Sequence, residues 1–187
     1  MRTVLFPALV VLAAACSQTP ATEPVVPVPS AAPAPSGSEP TSLVIPIEAR
    51  SDSKLSGTAT FSTVPGGVKV AIHVTGAPPG MVASHVHETG DCSAKDAKSA
   101  GGHFNPTNHP HGLPDSERHL GDLGNITIGP DGSGTLEITV KGATLTPNDP
   151  NSYLGRALIV HEKKDDGGQP TGNAGGRIGC GVIALKK

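Results

Sequence analysis

An all-β fold is predicted for most of this 187-residue chain by strand-length apolar runs, the turn residues between them, and the lack of a long helical pattern. The runs are short and rich in Val, Ile and Leu, side chains that suit a pleated, half-buried surface. Between them fall many of the 24 glycines and 19 prolines, residues that supply turns. With three Phe, one Tyr and no Trp, the core must be built from aliphatic side chains.

Strand-like runs occupy residues 43–49, 54–64, 67–74 and 81–88, and then 125–128, 134–140, 156–161 and 180–185. The third is the clearest. Val68, Val70, Ile72 and Val74 alternate with Lys69, Ala71 and His73, which gives one buried face and turns His73 outward. Pro65-Gly66-Gly67, Pro78-Pro79-Gly80 and Asp131-Gly132 mark turns. Roughly eight such strands point to a sandwich or a Greek-key barrel. Two segments break the rhythm, 89–122 and 163–179, both rich in Gly, Pro and Asp. Loops of that length in a compact domain are usually functional or disordered.

The N-terminus has the pattern of an export signal: Arg2, an apolar stretch from Val4 to Ala15, then Cys16. That stretch is short for a membrane span. Leu12-Ala13-Ala14-Ala15-Cys16 resembles a bacterial lipobox, in which the cysteine is lipidated and becomes the new N-terminus. The alternative is a soluble secreted protein with a nearby cleavage site. The expected organisation is a signal peptide over 1–15, a lipidated Cys16 with a Pro-rich tether over 16–41, and one domain over 42–187. The tether is dominated by Pro, Ala, Ser, Thr and Glu and cannot bury enough apolar surface to offset its ordering entropy. If the lipid takes Cys16, then Cys92 and Cys180 remain, and an oxidising compartment favours a disulfide between them over two free thiols. The formal net charge of −2 argues against a nucleic-acid partner.

The chemistry lies in the histidines. In His85-Val86-His87, an extended backbone aims both imidazoles at one point while Val86 turns to the core. A second run extends from His103 through His111 and His119 to Asp122, and His161 follows Val160. Imidazole at neutral pH is the commonest protein ligand for copper and zinc. His73 and His109 are read as non-ligands, and Glu88 and Glu162 as solvated or structural residues beside ligands.

Further motifs occur in order after His85-Val86-His87-Glu88. They are Gly101-Gly102-His103-Phe104-Asn105-Pro106, His111-Gly112-Leu113-Pro114 and Arg118-His119-Leu120-Gly121-Asp122-Leu123-Gly124-Asn125. Then come Gly155-Arg156-Ala157-Leu158-Ile159-Val160-His161-Glu162-Lys163, Gly172-Asn173-Ala174-Gly175-Gly176-Arg177 and Cys180-Gly181-Val182-Ile183. Together they closely resemble the copper/zinc superoxide dismutases, over about Leu43 to Leu185. The resemblance implies an eight-stranded Greek-key β-barrel (an immunoglobulin-like sandwich) with two long functional loops. It also implies Cu and Zn as cofactors and superoxide as substrate.

Position by position, His85, His87 and His161 match the family's copper ligands, and His103 matches the histidine that bridges copper and zinc. His111, His119 and Asp122 match the remaining zinc ligands. In the family the bridge breaks on the copper side when copper is reduced, and that nitrogen takes up the proton passed to the second superoxide. Asp165 matches an aspartate that hydrogen-bonds one copper histidine and one zinc histidine, here His85 and His111; Asp166 is the other candidate for this role. Arg177 matches the arginine at the mouth of the copper channel, and Thr171 its opposite wall.

Departures are visible too. The His111–His119 interval is one residue shorter than the common animal pattern, and the position of Cys92 close behind His87 is like the bacterial secreted subgroup. The second loop lacks a run of Glu and Lys, with Lys163 and Lys164 as partial substitutes for steering. Ser84 stands where relatives often carry an aromatic residue. The expectation is an antioxidant enzyme of the bacterial cell envelope, tethered to the membrane through Cys16, as a monomer or homodimer. The rival reading is a non-catalytic extracytoplasmic copper- or zinc-buffering module, which would need neither Arg177 nor a bridging His103.

Overall fold

A computed structural model describes residues 42–185. The expected signal peptide, Cys16 and the tether through residue 41 lie outside the described residues. Within them, eight strands form one antiparallel barrel: β1 Ser42–Ala49, β2 Ser56–Val64, β3 Gly67–Thr75, β4 Gly80–His87, β5 Asp122–Ile128, β6 Gly134–Lys141, β7 Arg156–His161 and β8 Arg177–Ile183. They close in the order β1-β2-β3-β6-β5-β4-β7-β8. The chain therefore leaves β3 for a non-neighbour, β4, and leaves β6 for a non-neighbour, β7, which is Greek-key connectivity.

Alternation builds the interior as expected. Val68, Val70, Ile72 and Val74 are buried and His73 is exposed; each such apolar side chain contributes about 1.5–3 kcal/mol by leaving water. Phe61 and Tyr153 meet edge to face at 6.0 Å in the middle of the aliphatic core. The phenolic oxygen of Tyr153 donates to the Leu120 carbonyl at 2.6 Å, so the base of the first loop is tied to the core.

Strand boundaries shift where function overlays the pattern. β5 begins at Asp122 rather than 125, because Asp122 and Gly124 already pair with His85 and Ser84 of β4. β8 runs from Arg177 to Ile183 rather than from 180 to 185, since Arg177 pairs with His161. β7 is buried on both sides. Its outward-facing Ala157 and Ile159 are covered by a second small cluster containing Ala97, Ala100 and the two cysteines. This cluster docks the first loop, residues 88–121, onto the barrel.

Cys92 and Cys180 form a disulfide, with Cα atoms 5.9 Å apart and a sequence separation of 88. Closing a loop of that size contributes about 4–5 kcal/mol in the chain-entropy account. The double variant Cys92→Ser/Cys180→Ser is therefore expected to lose about that much unfolding free energy in denaturant titrations. A loss below about 1 kcal/mol would show that strain or residual structure cancels the entropic gain.

Candidate metal centre

β4 carries the first two candidate ligands into the site. His85 and His87 are buried on its outer side while Val86 fills the core, so the two-residue period holds. The register shifts by one residue opposite Ser84 and His85, where β5 carries the extra Leu123, and opposite Val160 and His161, where β8 carries the extra Ile178. Such irregularities re-aim neighbouring side chains, here Asp122 and Arg177. The first loop comes back across β4. Phe104 N–H donates to Val86 O, Val86 N–H to Gly121 O and Gly121 N–H to Phe104 O, all at 2.8–2.9 Å. A side chain on Gly121 would strike Val86 O at 2.3 Å, so this close crossing requires glycine. The crossing places His103 opposite His87.

Among the described residues, two four-membered groups of buried candidate ligand atoms result, the atoms of each within 4.8 Å of one another: His85, His87, His103 and His161; and His103, His111, His119 and Asp122. A third group, His85, His111 and Asp165, links them from behind. His103 belongs to both four-membered groups. Its ring centre lies 4.1 Å from that of His85, 5.0 Å from His87, and 5.4 and 5.5 Å from His111 and His119. Its Nδ1 is 2.9 Å from Asp122 Oδ1, which leaves Nε2 for the first group.

The outer nitrogens determine what the inner ones can do. His85 Nε2 donates to Asp165 Oδ2 at 2.9 Å, His87 Nδ1 to Gly101 O at 2.9 Å and His161 Nδ1 to Gly175 O at 3.3 Å. In a neutral imidazole the other nitrogen is then a bare lone pair. His85 Nδ1, His87 Nε2 and His161 Nε2 are buried without a hydrogen-bond partner. Converging lone pairs with no donor between them are satisfied by a cation, so this group fits a metal ion.

The second group fits one as well. His111 donates from Nε2 to Asp165 Oδ1 at 3.0 Å, so its Nδ1 faces Asp122 Oδ2 at 2.9 Å as one acceptor facing another, without hydrogen-bond alignment. His119 Nδ1 lies 3.3 Å from Asp122 Oδ1. These contacts read as atoms converging on a common point rather than on each other.

Electrostatics keep the ligands ready. Burial, the largest cause in each case, lowers the pKa of His85 to about 4, of His87 to about 2 and of His161 to about 3. Burial alone would raise that of Asp165, but hydrogen bonds from His85 and His111 outweigh it and hold the carboxyl below its usual range. In the metal-free chain these histidines stay neutral when folded and take up protons once unfolded. Stability is therefore complete above 6.5, the ordinary histidine value, and falls as pH drops from there towards the folded values. The Asp165 contribution acts in the same direction, present above 3.8 and lost below it. The melting temperature of chelator-treated protein is expected to fall between about pH 7 and about pH 5; equal values would contradict this account.

Arg177 stands across the β7–β8 ladder from His161. Its guanidinium donates to Ala97 O at 2.8 Å and to Gly101 O at 2.7 Å, the latter being the carbonyl that also orients His87. Its charge is close enough to depress both His87 and His161. Thr171 is exposed in the second loop, residues 162–176. Asp165, rather than Asp166, reaches the histidines, while Asp166 caps Gly168 and Asn173 near the surface. His109 pairs with Glu117 at 2.6 Å and belongs to neither group. Glu88 accepts the Gly102 N–H at 3.0 Å, a structural contact.

Sequence reasoning assigned no role to Gly101, Gly175, Asn125 or Gly172. The first two act through backbone carbonyls, which carry no side-chain signal. Asn125 brackets the Asp165 backbone with its amide, at 2.9 and 2.7 Å. Gly172 has φ +74, and a Cβ there would lie 2.1 Å from Asp165 Oδ1 and 2.7 Å from His111 Nε2. Side-chain bulk at that position would therefore displace Asp165.

Fold and site together define a β-barrel metalloprotein with two adjacent ligand groups joined by one histidine. The family model described as copper/zinc superoxide dismutase (SODC) matches residues 55–183. An extracellular superoxide dismutase [Cu-Zn] of Brugia pahangi is 38% identical over 156 residues, covering 78% of this chain and 77% of that protein. Among solved structures, the clock protein EA4 superposes with a TM-score of 0.70 at 37% identity, covering 79% of this chain and 96% of that one. A superoxide-dismutase-like protein from Bacillus subtilis gives 0.67 at 32% identity, covering 75% and 97%. The chain belongs to the copper/zinc superoxide dismutase family, and its cofactors are copper and zinc.

Proposed function

We propose that this chain is an active, exported superoxide dismutase, converting two superoxide anions and two protons into dioxygen and hydrogen peroxide. The observation that carries the reading is His103 shared between two ligand groups, with Arg177 locked beside them. A metal buffer needs neither feature. His85, His87, His103 and His161 form the copper set, because an all-imidazole site suits Cu(II). His103, His111, His119 and Asp122 form the zinc set, three nitrogens and one carboxylate being zinc's closed tetrahedral preference.

Copper, when bound, supplies one-electron exchange between Cu(II) and Cu(I), while zinc supplies a fixed positive charge. The protein's part is positional and protonic. His103 keeps Nδ1 towards Asp122, so that Nε2 is the atom that holds a proton and releases it to reduced substrate. Asp165 fixes the tautomers of His85 and His111 at once. Arg177 draws in the small anion, and Thr171 forms the facing wall of its approach. Copper- and zinc-loaded protein is expected to compete for superoxide in a cytochrome-reduction assay. Stoichiometric copper binding without turnover would favour the buffering module instead.

The Cys92–Cys180 bond and the extracellular relative support export. In this reading residues 1–15 direct secretion, Cys16 carries lipid, residues 17–41 act as a tether, and residues 42–187 form the catalytic domain of a bacterial envelope protein, as monomer or homodimer. Cys16→Ser is expected to move the protein from the membrane fraction to the soluble fraction. Continued membrane association would refute the lipid anchor.

A further inference from the structure

We propose that Gln169 is a positioning residue for the zinc set, acting through the backbone of His111; the inference rests on the metal assignment above. The second loop is short, and two side-chain amides hold it. At one end Asn125, on β5, brackets the Asp165 backbone. Four residues further on, the amide of Gln169 does the same to His111. The His111 N–H donates to Gln169 Oε1 at 3.1 Å, and Gln169 Nε2 donates to the His111 carbonyl at 2.8 Å. Pairing both ends sets the direction of the amide, since a flip would put donor against donor and acceptor against acceptor.

The arrangement matters because of what His111 lacks. Among the described residues, no other hydrogen bond holds its N–H or its carbonyl, although the residue is only 3% exposed. Asp165 orients the imidazole at Nε2, but that contact sets the direction of the ring and leaves the backbone carrying it unanchored. Gln169 supplies the anchor. Asp165 and Gln169 thus come from one short loop and hold the same ligand at its two ends, one at the ring and one at the main chain. Removing the amide leaves the part-buried N–H and carbonyl of His111 without a protein partner, and the loss is felt as displacement of that ligand.

The test uses the full chain with Gln169→Leu, which removes both hydrogen bonds at similar size, and Gln169→Glu, which keeps the acceptor but sets a carboxylate against the His111 carbonyl. Zinc and copper affinities are measured separately by chelator competition, together with the absorption of Co(II) placed in the zinc set and the melting temperature of the metal-free forms. Gln169→Leu is expected to weaken zinc binding by about 10–100-fold, the usual cost of losing a ligand's supporting hydrogen bonds. Copper affinity is expected to change far less, the Co(II) bands to shift, and the metal-free melting temperature to stay close to that of the parent. Gln169→Glu is expected to fall between the parent and Gln169→Leu in zinc affinity. Unchanged zinc affinity in both variants overturns the proposal. So does equal weakening of both metals with a lower metal-free melting temperature, which would mark a merely structural side chain. If the parent protein itself takes no zinc at this set, the metal assignment falls and the proposal with it. Zinc uptake by the parent with unaltered variants refutes the role of Gln169 alone.

Discussion

Replacing His103 by alanine is expected to lower superoxide turnover by about 10²–10⁴-fold, the range typical of losing a positioned proton donor. The side chain is the only member common to both ligand groups. Without it, His85, His87 and His161 still converge, as do His111, His119 and Asp122, so each set keeps three members. The variant is therefore expected to retain copper while losing rate, and elemental analysis beside the activity assay separates the two effects. Turnover within a few-fold of the parent, at equal copper content, would remove His103 from the proton path. A variant that loses copper altogether would show that His103 chiefly holds metal.

Arg177→Glu is expected to cut turnover by about 10–10³-fold, the span over which charge steering alters association rates. This family is itself a standing example of such steering, so the magnitude is borrowed from that behaviour. Two features make the effect large. The guanidinium is half-buried, where its charge is screened less than at an open surface. It is also immobilised by Ala97 O and Gly101 O, so its field points in a constant direction. The parent rate is expected to fall with rising salt, and the variant's to lose or reverse that dependence. Copper content is expected to stay unchanged. Arg177→Lys keeps the charge but cannot span both carbonyls, and an intermediate rate is expected. A Glu variant as fast as the parent would exclude a steering role.

Much of this molecule is legible before any coordinates. The alternation of Val68, Val70, Ile72 and Val74 places β3, because a strand with one wet face writes its burial directly into residue order. His85-Val86-His87 survives intact for the same reason, since a two-residue period leaves no other way to bury Val86. Legibility fails where one residue serves two purposes. Asp122 and Gly124 pair with β4 in β5, yet carboxylate and glycine are poor strand formers, so the start of that strand is disguised by its role in the site. Arg177 opens β8 in the same way. The connection between β6 and β7, residues 142–155, is the third long excursion, and it carries no ligand cluster to mark it in the sequence.

The sequence by itself determined the all-β class, the candidate ligand residues and their order, and, through resemblance, the family. All of these depend on side-chain identity and local period. Only the tertiary structure decided which nitrogen of each histidine faces inward, because that follows from acceptors such as Gly101 O, Gly175 O and Asp165, 14 to 80 residues away in sequence. It also decided that Arg177 shares the Gly101 carbonyl with His87, and that Gln169 grips His111 across 58 residues. Hydrogen bonds to main-chain groups leave no trace in residue type at the accepting position. They exist only once the barrel, the disulfide and the two loops have brought those groups within about 3 Å of one another.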